Sequence, residues 1–228
     1  HATSLGEFEQ VKPLIEKIKA DNAFSEYKIV VTFFSPSGFE YSKNYKLADF
    51  KFYLPIDTKI NATDFIELIN PSIAIFVKYD FWFNYLELLQ KKQIPHLFFG
   101  CNFRENQIYF KPVNKWQVEI LQKINRLFTL NNQSCDVLKN NNFSNMEVCG
   151  DTRFDKVIQN ANRCQPIALI EQFKQNKILL ILGSSWEKEE DILADYLEKN
   201  KEWNEQLKII IAPHNIYGNH ISEIIENN

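Results

Sequence analysis

None of the four cysteines, Cys101, Cys135, Cys149 and Cys164, belongs to a C-x-x-C pair. The sequence therefore offers neither a zinc ribbon nor a thioredoxin-like redox motif. Widely spaced thiols of this kind read as reduced cysteines of a cytosolic protein. No apolar run approaches the roughly 18 residues of a membrane span, and no signal peptide is visible. A basic excess is missing too: the net charge is -3, which leaves no positive field for general nucleic-acid binding. No cluster of His, Asp and Glu has ligand spacing, so no metal is expected. Internal repeats and low-complexity tracts are also lacking, although Asn-rich runs such as Asn140-Asn141-Asn142 mark loops.

What is present suits a globular chain. The 228 residues are enough for one large or two small domains, and 45% hydrophobic against 24% charged residues allows a substantial core. Phe alone accounts for 19 residues, which indicates bulky cores or an apolar groove. The opening stretch His1 to Phe8 organises the reading. Ser4 and Glu7 have the S-x-x-E spacing of a capping box. Behind them Phe8, Val11, Leu14, Ile15 and Ile18 recur at helical spacing. Glu7 thus stands at a helix N-terminus, where the positive end of the macrodipole favours a carboxylate. There it can cap the helix or act as a base.

Short strands and helices then alternate. Tyr27–Phe34, Phe52–Leu54, Ser72–Val77, Pro95–Gly100, Arg126–Thr129 and Met146–Cys149 read as strands. Helices are expected from Phe39 and over Thr63–Ile69 (capped by Asn61 or Thr63), Phe81–Lys91, Val113–Lys123 and Gln133–Lys139. Such alternation implies a parallel sheet with helices on both faces, wound right-handedly. Residues 160–166, polar and without periodicity, read as a linker between a domain over 1–159 and a second over 167–228. The second begins with strand Lys177–Leu182, a Gly183-Ser184-Ser185 turn and helix Trp186–Lys199. Strand Leu207–Ala212, loop Pro213-His214-Asn215 and helix Tyr217–Glu226 follow. The fold class is α/β with two doubly wound, Rossmann-like domains and a ligand cleft expected between them, beyond the carboxyl ends of the strands. Both ends read as cut, so the chain is expected to be an internal piece with an incomplete second domain.

Seven elements in order resemble the 3-deoxy-D-manno-octulosonic acid (Kdo) transferases of lipopolysaccharide synthesis, inverting glycosyltransferases of GT-B architecture. They are His1-Ala2-Thr3-Ser4-Leu5-Gly6-Glu7-Phe8, Phe34-Ser35-Pro36-Ser37-Gly38, Leu54-Pro55-Ile56-Asp57, Asp80-Phe81-Trp82, Gly150-Asp151-Thr152-Arg153-Phe154-Asp155, Leu182-Gly183-Ser184-Ser185 and Ala212-Pro213-His214. The resemblance implies transfer of Kdo from CMP-Kdo to a lipid A precursor resembling lipid IVA. The location implied is the cytoplasmic face of a bacterial inner membrane, touched peripherally through a membrane-proximal segment not in this chain. No cofactor is implied.

The resemblance also assigns residues. Glu7 matches the general base, and Arg153 matches a basic position that stabilises the leaving phosphate, its other reading being a surface pair with Asp151 or Asp155. Lys78 stands where many relatives carry a carboxylate. As a cation it can stabilise charge by binding an acceptor phosphate or the Kdo carboxylate, or it can be a snorkelling surface lysine. Pro213 and His214 match a nucleotide-contacting loop, and Ser184 and Ser185 can bind phosphate or cap a helix. Ser35 and Ser37 line the acceptor side or make a turn, while Phe81, Trp82 and Phe83 can hold acyl chains or pack in the core. Two readings stand beside this one: another GT-B enzyme acting on a UDP-sugar, as transferase or epimerase, and a non-catalytic sugar-nucleotide or lipid-binding module. The fragment alone is expected to have little transferase activity.

Overall fold

The computed structural model describes every residue except Tyr79, Asn204, Tyr217, Asn227 and Asn228, and leaves the side chains of Arg163, Glu223 and Glu226 undescribed. The chain divides into two units, His1–Asn162 and Arg163–Asn228.

In the first unit, α1 (Leu5–Ala20) is followed by β1 (Val30–Phe33), α2 (Pro36–Ser42), β2 (Phe50–Tyr53), α3 (Lys59–Ile69) and β3 (Ala74–Val77). Then come α4 (Phe83–Lys91), β4 (His96–Cys101), α5 (Lys115–Leu121), β5 (Arg126–Thr129), α6 (Asn132–Asn140), β6 (Met146–Val148) and α7 (Thr152–Arg163). All strand pairs are parallel: β1 with β2, and a four-stranded sheet in the order β3-β4-β5-β6. The first residues stitch the two sheets together. The Ala2 N–H donates to Thr32 O (2.9 Å), the His1 nitrogen to Ile75 O (2.6 Å), and the Val77 N–H to His1 O (3.2 Å). His1 and Ala2 therefore lie between β1 and β3.

The near-continuous apolar runs of β3 and β4 are explained by burial on both faces. Phe76, Phe98 and Leu127 point into one core, with Ala62 and Ile66 of α3, Leu86 and Leu89 of α4, Leu121 of α5 and Leu138 of α6. Their neighbours Val77 and Phe99 point the other way, into a second core with Phe8 and Ile15 of α1 and Val31 and Phe33 of β1. Trp82 belongs to the first core, and Phe81 and Phe83 pack against it, so packing is their observed use. The Leu54–Asp57 element is a tie to α4. The Tyr85 hydroxyl donates to Pro55 O (2.9 Å), and the Asn84 N–H donates to the Asp57 carboxylate (3.1 Å), an acid at a helix N-terminus.

Several boundaries differ from expectation for identifiable reasons. β1 starts at Val30 because its partner β2 begins only at Phe50, opposite it. The cap of α3 is Thr58, whose hydroxyl accepts from the Asn61 N–H (3.2 Å); the Thr63 hydroxyl turns back to Lys59 O (2.8 Å) inside the helix. Residues 160–163 of the proposed linker continue α7, which leaves 164–167 as the irregular segment before α8 (Ala168–Lys174).

Gly38 lets α2 lie close to β1 and to the start of α1. A Cβ added there would stand 2.6 Å from Phe33 Cδ1 and 3.0 Å from the Ser4 carbonyl carbon. Alanine would gain about 1 kcal/mol of helix propensity, but overpacking against a buried ring costs about 1–3 kcal/mol. Gly38→Ala is therefore expected to lower the denaturant midpoint, and an unchanged or raised midpoint would contradict this account of the contact.

The second unit holds α8, β7 (Ile178–Ser185), α9 (Glu187–Lys199), β8 (Leu207–Pro213) and α10 (His220–Glu226), with β7 and β8 parallel. Pairing continues through Gly183↔Ala212 and Ser185↔Pro213, with an irregularity at Ser184. The expected turn at Gly183–Ser185 is thus the bulged end of a strand, and the connection to the helix falls at Trp186. No helix among the described residues is long and apolar enough to cross a membrane.

Candidate functional site

In the first unit the assigned residues gather where α1 begins and where β3 and β6 end. Ser4 is the N-cap of α1 in extended conformation, but its hydroxyl makes no cap bond. The expected capping box is therefore not formed. The Glu7 carboxylate reaches one residue further back, and its Oε2 accepts from the Thr3 N–H at 2.6 Å. That N–H lies just past the ladder residue Ala2, and the helix-borne carboxylate supplies its acceptor. Glu7 is 9% exposed, so the carboxylate is sheltered and oriented.

Opposite Glu7 Oε1, at 3.8 Å, stands the Lys78 ammonium, one residue past β3. Lys78 is not a freely snorkelling side chain. Its backbone has φ 63°, a left-handed conformation that costs a non-glycine residue of order 1 kcal/mol. Two neighbours hold it: the Lys78 N–H donates to Phe99 O (2.7 Å), and the Cys101 thiol donates to Lys78 O (2.9 Å). Strain of this kind concentrates at functional sites. Burial pushes the Cys101 thiol well up, and burial likewise raises Cys149. Neither is a thiolate nucleophile near neutral pH.

Asp151 and Arg153 complete a row of alternating charge. The Arg153 Nε donates to both Asp151 oxygens (3.0 and 2.8 Å), and its backbone N–H donates to Oδ1 (2.9 Å). The Arg153 side-chain bonds hold the Asp151 carboxyl below the usual range, against the opposing effect of burial, with help from the Lys78 charge. Arg153 is thus paired with Asp151 while its side chain remains 64% exposed. Its five donors are not exhausted by one carboxylate.

Sequence reading assigned no role to Asp80, Thr3 or His1, and the structure draws all three in beside Glu7. The Thr3 hydroxyl donates to Asp80 Oδ2, as does the Trp82 indole N–H (3.1 Å). With its proton so committed, Thr3 Oγ accepts from His1 Nε2 (3.2 Å), and His1 Nδ1 accepts from the Thr32 hydroxyl (2.9 Å), a tautomer assigned from the network. Burial pushes Asp80 up, but the His1 ring 3.9 Å away and the bonds from Thr3 and Trp82 together hold its carboxyl below the ordinary value. Ser35 caps α2, accepting from the Ser37 N–H at 3.4 Å, and its own N–H donates to Thr3 O at 2.7 Å. Ser37 is exposed.

In the second unit, Ser184 has φ 59° and its hydroxyl meets His214 Nδ1 at 2.9 Å. The His214 ring stacks on the Trp186 indole, centroids 4.5 Å apart, and the His214 backbone N–H donates to Ser185 O (2.8 Å). Trp186 is 57% exposed, so the two rings form an open ledge at the end of β8, just past Pro213. Ser185 does not share in it: its buried hydroxyl donates to Glu190 Oε1 (2.6 Å), whose other oxygen meets His220 Nε2 (3.1 Å). Among the described residues, no group of three or more His, Cys, Asp or Glu could hold a metal ion.

Among curated proteins, the chain is 26% identical over 219 residues to the 3-deoxy-D-manno-octulosonic acid transferase of Aquifex aeolicus (strain VF5), covering 95% of this chain and 54% of that one. It is 23% identical over 231 residues to the enzyme of the same name from Chlamydophila psittaci (strain ATCC VR-125 / 6BC), covering 95% and 50%. The chain thus spans about half the length of these relatives. Among solved structures, UDP-GlcNAc 2-epimerase from Neisseria meningitidis bound to UDP-GlcNAc matches with TM-score 0.68 at 16% identity, over 99% of this chain and 67% of that one. At that identity the likeness shows the fold alone, which is α/β and GT-B-like. The family described as 3-deoxy-D-manno-octulosonic-acid transferase (kdotransferase) matches residues 1–156, the stretch that carries Glu7, Lys78, Asp80 and Arg153, and the chain belongs to that family.

Proposed function

We propose that the protein transfers Kdo, with inversion, from CMP-Kdo to a lipid A precursor of the lipid IVA type, and that Glu7 is the general base. A sugar hydroxyl of the acceptor attacks the anomeric carbon of Kdo. Its proton passes to the Glu7 carboxylate as the new C–O bond forms, and the bond from that carbon to the CMP phosphate oxygen breaks. A neutral hydroxyl is a weak nucleophile, so a placed base is worth about 10²–10⁴ in rate. The observation that carries the reading is the sheltered Glu7 carboxylate, fixed on one side by the Thr3 N–H and faced on the other by Lys78, in a chain of this family.

The remaining assignments follow the charge. The exposed Arg153 guanidinium offers donors to the negative charge that grows on the departing phosphate. Lys78 offers a cation to an acceptor phosphate or the Kdo carboxylate. Ser35 and Ser37 belong to the acceptor side, in a domain spanning about residues 1–159. In the unit that starts a nucleotide-sugar domain, Ser184, Ser185, Pro213 and His214 belong to the donor side, the Ser185 hydroxyl being committed to Glu190. Peripheral contact with the cytoplasmic face of the bacterial inner membrane fits the exposed edge strand β2, where Phe50, Phe52 and Tyr53 surround Lys51. Aromatic and basic residues mixed in this way suit a lipid–water boundary.

The test uses the full-length protein with CMP-Kdo and a tetra-acylated lipid A precursor. The expected result is CMP release matched by Kdo-modified lipid. Conversion of UDP-GlcNAc without CMP release would favour the UDP-sugar reading, and binding of either nucleotide sugar without turnover would favour a non-catalytic module. The 228-residue chain, about half the length of its relatives, is expected to show little transfer by itself.

A further inference from the structure

The Glu7 carboxylate is held by one backbone N–H, that of Thr3, so its position is only as well defined as Thr3. Thr3 is pinned on every polar atom. Its carbonyl accepts from the Phe34 and Ser35 N–H groups (3.3 and 2.7 Å), its N–H goes to Glu7, and its hydroxyl goes to Asp80. The Glu7 contact is local, and the carbonyl contacts tie Thr3 to the residues that follow β1. The hydroxyl contact comes from a residue 77 positions away, beyond β3, so it ties Thr3 to the segment after that strand, where the ladder bonds of His1 to Ile75 and Val77 do not reach.

We infer that Asp80 is a positioning residue for the transfer reaction: through the Thr3 hydroxyl it fixes the Thr3 N–H that aims the Glu7 carboxylate. The inference rests on the reading of Glu7 as the base. The hydrogen bonds to Asp80 come from Thr3 and Trp82, with His1 Nε2 3.9 Å from the same oxygen. The Trp82 N–H, from an indole in the first core, locks the same Asp80 oxygen that Thr3 uses. The His1 ring, 5% exposed and set edge-on to Trp82 at 5.2 Å, lies beside it, while the Asp80 side chain itself stays 41% exposed. Two donors thus converge on Oδ2 from a core side chain and from the residue that carries the Glu7 contact. What both donors require at that point is an acceptor atom. Displacing a reacting group by about 1 Å can cost of order 10²-fold, so loosening Thr3 reaches the chemistry without touching substrate.

The experiment measures steady-state transfer by the full-length protein. Asp80→Ala removes the acceptor, and Asp80→Asn keeps one oxygen where both donors can reach it. Asp80→Ala is expected to lower kcat about 10–100-fold with the KM for CMP-Kdo little changed, and Asp80→Asn to recover most of that loss. Thr3→Val, which keeps the N–H and removes the hydroxyl, is expected to match Asp80→Ala, and it serves should Asp80→Ala not fold. Adding Asp80→Ala to Glu7→Gln is expected to bring no further loss, because residues acting as one unit are not additive. An equal loss on both backgrounds, or full activity in Thr3→Val, overturns the inference while Glu7→Gln remains inactive. Full activity in Glu7→Gln overturns instead the reading of Glu7 on which it rests.

Discussion

Glu7→Gln is expected to remove about 10²–10⁴ of the transfer rate, or about 3–5 kcal/mol of transition-state stabilisation, with the fold intact. The geometry is why the two effects separate. Glutamine is isosteric, and its amide oxygen can still accept from the Thr3 N–H, the 2.6 Å bond that orients the side chain. What disappears is the oxygen that faces Lys78 at 3.8 Å and can take a proton. The ion pair lost with it is long, and the Lys78 side chain is one-third exposed, so water takes over its solvation and the stability cost stays within about 1 kcal/mol. Single-turnover transfer should therefore collapse while the unfolding transition barely moves. Normal turnover in this variant would remove the base from the mechanism, whatever the family of the chain.

How much of this was legible beforehand depends on distance along the chain. The strands were readable because β3 and β4 are apolar on both faces, and the two cores use alternate residues such as Phe76 and Val77. Helices announced themselves by period, as α1 did through Phe8 and Ile15. The capping box at Ser4 and Glu7 had the right spacing and did not form, because a carboxylate that can reach two successive N–H groups leaves the choice to the sheet edge beside it. Glu7 and Lys78 are 71 positions apart, Thr3 and Asp80 are 77, and Ser184 and His214 are 30. No periodicity encodes such pairs; the parallel winding of the strands, which brings their carboxyl ends to one edge, places them together. Asp80 stood inside a recognised element without a role because its partner is a hydroxyl in another element.

Phe8, the residue after Glu7, should give the opposite result. Its ring is fully buried and meets Phe33 and Tyr45 edge-to-face, each at 5.2 Å between centroids, with the Lys12 ammonium 5.1 Å from its centre. Phe8→Ala leaves a cavity between α1 and β1 and is expected to cost about 3–5 kcal/mol, a large share of the roughly 5–15 kcal/mol that holds a typical domain. The denaturant midpoint should fall steeply with the slope of the transition unchanged, since the surface exposed on unfolding is nearly the same. Activity per folded molecule should survive at low temperature, because Glu7 is aimed by the Thr3 N–H, whereas the Phe8 ring meets Phe33, Tyr45 and Lys12. If Phe8→Ala instead kept its midpoint and lost its rate, the packing of α1 would be what aims the carboxylate, and the hydrogen bond from Thr3 would be a consequence of that packing.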